Sequence, residues 1–143
     1  MAGYFTESNY ENAVLQLLNE ELGYNYIYGP DVERDYHSPL YEDVLLSSLQ
    51  RINKGLPVDA LTEAVYKLKN FETGTLLQKN MVFMDYLQNG VPIKYYDKGE
   101  ERSTLVYLVD FKNPASNEFT VANQWTFIEN SEKRPDVILF VNG

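Results

Sequence analysis

Two carboxylates stand out for where their neighbours should place them. Asp136 sits in the final segment, Arg134-Pro135-Asp136-Val137-Ile138-Leu139-Phe140-Val141-Asn142-Gly143. A proline disfavours helix at the residue before it, so Arg134 is extended and the apolar run reads as a strand. Asp136, Ile138 and Phe140 then share one face, and Val137, Leu139 and Val141 the other. Both faces are apolar beyond Asp136, which predicts a central strand with the Asp at its wet end or in a pocket. Taken alone, such an Asp is a cap beside Arg134 at a strand entrance. Glu11 is less ordinary. Helical spacing sets it on the stripe of Val14, Leu15, Leu18 and Leu22, the face expected to pack inward, with Glu7 one turn earlier. A carboxylate at the edge of a core face needs a cation, a metal or a hydrogen-bond donor. The other reading is a first-turn acid, solvated and favoured by the helix dipole.

The remaining polar candidates have plain explanations. Asn123 and Gln124 fall in Val121-Ala122-Asn123-Gln124-Trp125-Thr126-Phe127, where strand alternation puts their amides on opposite faces. Asp110 closes the apolar run Leu105-Val106-Tyr107-Leu108-Val109 as strand-end polarity. His37 stands alone in a loop and reads as a surface residue. The sequence has no Walker loop, no glycine-rich dinucleotide turn, no nucleophile elbow and no His-x-x-x-His pair. With no cysteine there is neither a disulfide framework nor a cysteine zinc site. A net charge of −9 argues against strong electrostatic capture of nucleic acid by this chain alone. No apolar run is long enough to span a bilayer, and the first residues lack a signal peptide's basic start and apolar middle, which fits the cytoplasm.

The elements that must position these groups are helices first and strands second. The 143 residues suit one domain. Residues 11–24 predict a helix stopped at Gly23, with Ser8 or Asn9 as its cap. A polar connection follows at residues 29–39. Residues 40–53 predict a second helix with Leu40, Val44, Leu45 and Leu49 on one side, broken at Lys54-Gly55-Leu56-Pro57. Residues 58–71 predict a third with Leu61, Val65 and Leu68 inward. Thr73-Gly74 separates a fourth, residues 75–88, which stops at Asn89-Gly90. From residue 91 the chain turns β-branched and aromatic, and strands are predicted at 91–96, 103–111, 117–128 and 136–141. Turn signals lie at Asp97-Lys98-Gly99, Asn113-Pro114 and residues 129–133. Residues 1–90 are thus mainly helical and 91–143 mainly strands, an α+β class in which helices cover a sheet. Asn142-Gly143 is a two-residue hairpin turn signal, so the sequence is expected to stop inside a hairpin.

The segments YENAVLQLLNEELGYNYIYG, ERDYHSPLYEDVLL, GTLLQKNMVFMDYLQNGVPIKY, LVYLVDFKNPASNEFTVANQWTF and RPDVILFVNG, taken in order, make the chain resemble the N-terminal region of the R (restriction and translocation) subunit of type I restriction enzymes. The resemblance runs along nearly the whole chain, and the terminal segment is its most specific part.

That resemblance implies a restriction-endonuclease-like fold, with the N-terminal helices packed on a mixed central sheet, and a nuclease site of the PD-(D/E)xK kind. Pro135-Asp136 matches the PD, which makes Asp136 a catalytic metal ligand. Glu11 matches a first-helix Glu placed beside the metal. The implied cofactor is Mg²⁺, with ATP used by a DNA translocase motor elsewhere in the subunit. The implied partners are DNA and the modification (M) and specificity (S) subunits, with no membrane. The E-x-K half of the motif is not in these residues. An antiparallel return from Asn142-Gly143 would bring it opposite Asp136. These 143 residues alone are therefore expected to bind metal weakly and cleave nothing, and an open edge at Val137 to Val141 invites dimerisation. The alternatives are a non-catalytic α+β module docking on partner subunits, or another nuclease of the same motif class.

Overall fold

The computed structural model describes residues 3–72 and 74–143. Met1 and Ala2, from the N-terminal stretch read above, lie outside the described residues, as does Thr73 of the predicted Thr73-Gly74 break. The described chain is mixed helix and sheet, as the α+β reading expects. It divides into two compact units of interleaved sequence. One holds the chain up to Tyr41 with Glu118–Val141 and Gly143, and the other holds Glu42–Asn117 with Asn142.

The first unit begins with α1, Glu7–Gln16. Its cap is Thr6, whose Oγ1 accepts from the Asn9 amide at 3.3 Å, rather than Ser8 or Asn9, which lie inside the helix. The helix loosens into a π-turn at Leu17–Glu21 and stops at Gly23, whose φ of 73° suits a residue without Cβ. Only part of the expected apolar stripe turns inward. Leu15 is buried and Leu18 half-buried, while Val14 and Leu22 are exposed, as are Tyr10 and Leu17.

A strand that the sequence reading passed over follows: β1, Asn25–Tyr28. It pairs parallel with Phe119–Asn123, which in turn pairs antiparallel with Val137–Val141. The sheet is therefore mixed, and the Phe119–Asn123 strand is its centre. The Asp136 strand was expected there; instead it forms an edge, with Leu139 and Val141 exposed on one face. Its other face meets the core. Ile138 and Phe140 pack with Trp125 and Ala122, joined by Ile27, Val32 and Tyr41. The Trp125 and Phe140 rings meet edge to face at 4.8 Å.

The second unit is built from α2 (Glu42–Ile52), α3 (Val58–Lys69), α4 (Leu76–Asn89), β2 (Val91–Asp97) and β3 (Glu100–Val106). Ala60, Leu61, Ala64 and Leu68 form the buried stripe of α3, the helix that packs on β2. Small side chains at positions 60 and 64 keep that approach close. Helix α4 opens with a reciprocal capping box between Thr75 and Gln78 and ends at Gly90, whose φ is 94°. Strands β2 and β3 form a hairpin closed by Lys98 and Gly99, both left-handed, at the predicted turn.

With these ranges given, Phe119–Asn123 is β4, Phe127–Glu129 is β5, Ser131–Lys133 is β6 and Val137–Val141 is β7. The predicted turn at 129–133 is itself a short hairpin, β5–β6, hinged on left-handed Asn130. The predicted strand at 103–111 ends early, at Val106. Asp110 lies in the loop beyond, where its Oδ1 accepts from the Lys112 and Asn113 amides at 3.0 and 2.9 Å and so shapes a turn. Among the described residues no helix is long and apolar enough to cross a membrane.

Candidate active site

Glu11 and Asp136 come together in the first unit, and the residue that joins them is Gln124. Gln124 Nε2 donates to Glu11 Oε1 at 3.2 Å and to Oε2 at 3.4 Å. The same nitrogen lies 3.5 Å from Asp136 Oδ1. Asn123 Nδ2 adds a bond to Glu11 Oε1 at 3.1 Å. Behind it, its Oδ1 accepts from the Tyr26 hydroxyl at 2.9 Å.

The backbone explains how adjacent amides reach one carboxylate. Strand alternation sends neighbours to opposite faces, and the reading of an unbroken strand at 117–128 did so. The strand instead ends at Asn123, and Gln124 takes a φ of 54°, which breaks the alternation and turns its side chain back beside that of Asn123. Left-handed backbone is uncommon for a residue such as Gln, and such strain persists only where the surroundings hold it. Three groups hold it here. The Gln124 amide donates to the Asp136 carbonyl at 3.1 Å, tying the turn to the mouth of β7. Gly29 lies beneath it, where a Cβ would stand 2.6 Å from the Gln124 carbonyl oxygen and 2.8 Å from that of Asn123. Arg34 clamps the next two residues, its guanidinium 3.6 Å over the Trp125 ring and Nη2 donating to the Thr126 carbonyl. Burial pushes the Arg34 guanidinium below its usual pKa, against the opposing attraction of Tyr36 and Asp35.

Each carboxylate is now placed. Helix α1 begins at Glu7, so Glu11 stands beyond the first turn, where the pull of the helix dipole fades, and its partners are side-chain amides. Glu7 stays in that first turn, exposed. Asp136 is exposed at the entrance of β7, the wet end expected of it, and Gln124 supplies its neighbouring donor. His37 is a surface residue paired with Asp35 at 3.2 Å.

Chemically, the arrangement is two anions sharing one neutral donor. An amide nitrogen carries two protons and no charge, so it orients both carboxylates without neutralising either. Hard divalent cations take oxygen ligands, commonly one or two carboxylates completed by water and phosphate. Glu11 and Asp136 fit part of such a shell, and among the described residues no third His, Cys, Asp or Glu completes a cluster. The two acids were legible in the sequence. The amides that collect them were not, because nothing local announces a left-handed Gln. Gly29 was the one available signal, a glycine directly after the aromatic segment Asn25–Tyr28, at a point where backbone approaches backbone.

The family model of the type I restriction enzyme R protein N terminus matches residues 4–143. The chain is 34% identical over 144 residues to the putative type I restriction enzyme MjaIXP endonuclease subunit of Methanocaldococcus jannaschii, covering 93% of this chain and 14% of that protein. It is 30% identical over 147 residues to the type I restriction enzyme HindI endonuclease subunit of Haemophilus influenzae, covering 96% of this chain and 14% of that protein. The chain thus spans a small part of the length of these relatives. With a match over residues 4–143, the chain belongs to the family of type I restriction enzyme R protein N termini.

Proposed function

We propose that this chain is the N-terminal part of a single metal-dependent DNA endonuclease domain in a type I restriction enzyme R subunit, with a restriction-endonuclease-like fold. The observation that carries the reading is the meeting of Glu11 and Asp136 at one Gln124 nitrogen, from opposite ends of the chain. Asp136 and Glu11 would hold Mg²⁺, which when bound polarises a phosphodiester and lowers the pKa of the attacking water. The chain's own part is to present two carboxylate oxygens, oriented by amides, at the open end of a sheet. Asn142 and Gly143 carry φ of 62° and 87°, the left-handed pair of a two-residue hairpin turn, and β7 has an open edge. Both features suit a following strand with the E-x-K element, whose Lys would hold the attacking water and the developing charge. That strand would also cover the edge through which these residues alone would dimerise. The ATP-driven motor would belong to the rest of the subunit, and DNA would be delivered by it and by the M and S subunits in the cytoplasm. This supply route is compatible with a net charge of −9, which disfavours unaided DNA capture.

The test is Asp136→Asn in the complete subunit, assembled with its partners. Loss of one charged metal ligand removes several kcal/mol of transition-state stabilisation, so DNA cleavage is expected to fall about a thousandfold while ATP hydrolysis continues. Cleavage at the wild-type rate would overturn the assignment. It would favour the second reading, a docking module, which draws on the exposed Leu76, Leu77, Met81 and Met84 of α4.

A further inference from the structure

Gln124 has so far been a donor that orients two acids. Its surroundings give it more to do. A donor facing two carboxylates satisfies them in the absence of a cation, yet it stands where their oxygens converge: 3.2 and 3.4 Å from Glu11, 3.5 Å from Asp136. A cation drawn to both acids meets an N–H there, which repels it. A primary amide is nearly the same shape end for end, and the torsion that interchanges its nitrogen and oxygen is soft. Turning it replaces the donor by an oxygen without moving the backbone or changing the volume.

The backbone around Gln124 is held, so the turn of its amide needs no movement of the main chain. Its φ of 54° is enforced by Asp136, Gly29 and the Arg34 clamp, so the side chain's root is fixed. Asn123 is different. Its amide has a partner at both ends, the Glu11 carboxylate for Nδ2 and the Tyr26 hydroxyl for Oδ1, so it keeps donating to Glu11 when Gln124 turns. The two neighbouring amides therefore divide the work: one holds Glu11 permanently, and the other is free to change ends. Oxygen from Gln124 would also add a neutral ligand beside the two carboxylates, to which the described residues bring no third His, Cys, Asp or Glu.

We propose that Gln124 is a third oxygen ligand of the site, its amide turning from Nε2 to Oε1 when a hard divalent cation engages Glu11 and Asp136. This rests on the metal-dependent reading above. The experiment uses the complete R subunit without nucleotide and Fe²⁺ in place of Mg²⁺. Ascorbate and peroxide then cleave the polypeptide next to bound iron, and mass spectrometry reads the cut positions. Wild-type protein should be cut near Glu11, Asn123–Gln124 and Asp136. Gln124→Glu keeps an oxygen and loses the donor, so the Fe²⁺ concentration for half-maximal cutting should stay the same or fall. Gln124→Met loses both and should raise it roughly tenfold or more. Circular dichroism melting confirms that each variant is folded, and Gln124→Leu replaces the Met variant if that one is not.

If both substitutions raise the concentration alike, Gln124 is only a donor and the proposal fails. If neither does, while Asp136→Asn abolishes the cuts, Gln124 is a bystander and the proposal fails with the cation site intact. If wild-type protein is not cut at these positions, the metal-dependent reading fails and the proposal with it.

Discussion

The first and second units both rely on side-chain amides, and they use them in opposite ways. In the second unit Asn53 Nδ2 donates to the Leu49 and Tyr107 carbonyls at 3.0 and 2.8 Å, and its Oδ1 accepts from the Tyr107 amide at 2.8 Å. Asn53 thereby copies a strand residue and carries the pairing past the end of β3. Asn142, 1% exposed, donates to the Leu108 carbonyl and to Asn117 Oδ1, each at 2.9 Å, and Arg51 Nη2 donates to its oxygen at 3.4 Å. The nitrogens of these amides meet neutral carbonyls inside the protein. In the first unit Gln124 meets two carboxylates at the surface. Its bonds orient the acids and leave their charge uncompensated. An amide facing carbonyls fixes the fold; one facing carboxylates orients charge and leaves it open to solvent.

Three substitutions probe that division. The largest effect is expected from Asn53→Asp, which places a carboxylate oxygen against the Leu49 and Tyr107 carbonyls at a residue only 7% exposed. A buried charge without a partner costs about 3–5 kcal/mol, so the urea unfolding midpoint should drop steeply. An unchanged midpoint would mean that the second unit tolerates charge as the first does. Gly29→Ala comes next. Its Cβ would stand 2.6 Å from the Gln124 carbonyl, so backbone must move, at about 1–3 kcal/mol of stability. Amide chemical shifts should change around Asn123 and Gln124; an undisturbed spectrum would show that the left-handed turn does not depend on this contact. The smallest effect on stability belongs to Glu11→Gln, which removes one of two neighbouring negative charges at a half-buried position. Thermal unfolding should move by less than about 1 kcal/mol, in either direction. A loss as large as that of Asn53→Asp would make Glu11 a structural residue and erase the contrast.

The sequence announced some of this better than the rest, and the reason is range. Gly23, Gly90 and the Lys98-Gly99 turn act through their own backbone angles, so the limits they set were readable. The stripes of α2 and α3 were readable in part, since each repeats within one helix: Leu45, Leu49, Leu61 and Leu68 are buried, Val44 and Val65 half-buried, and Leu40 lies ahead of α2. Strand β1 was missed because its pairing is parallel and distant: Asn25 opposes Thr120, and no nearby turn marks such a partner. The stripe of α1 was over-read because periodicity shows that a helix has an apolar side without showing how much of it is covered. The strand at residue 124 was over-extended because β propensity continues smoothly through Gln124 and Trp125, while the left-handed break is imposed by Gly29, Arg34 and Asp136. Of the candidate site, the acids could be read and their meeting point could not.

The interleaving of the two units sets an order of assembly. The second unit, apart from Asn142, is drawn from one continuous stretch, and its β2–β3 hairpin and neighbouring helices form from sequence already at hand. Strand β1 must wait for β4, across the whole of that stretch. During synthesis α1 and β1 emerge before the second unit, and β1 meets β4 only after that unit's continuous stretch has been made. Leu15 and Ile27, which the folded first unit covers at least in part, wait in water for that pairing. Glu11 therefore meets Asn123 and Gln124 only once the second unit's continuous stretch lies between them.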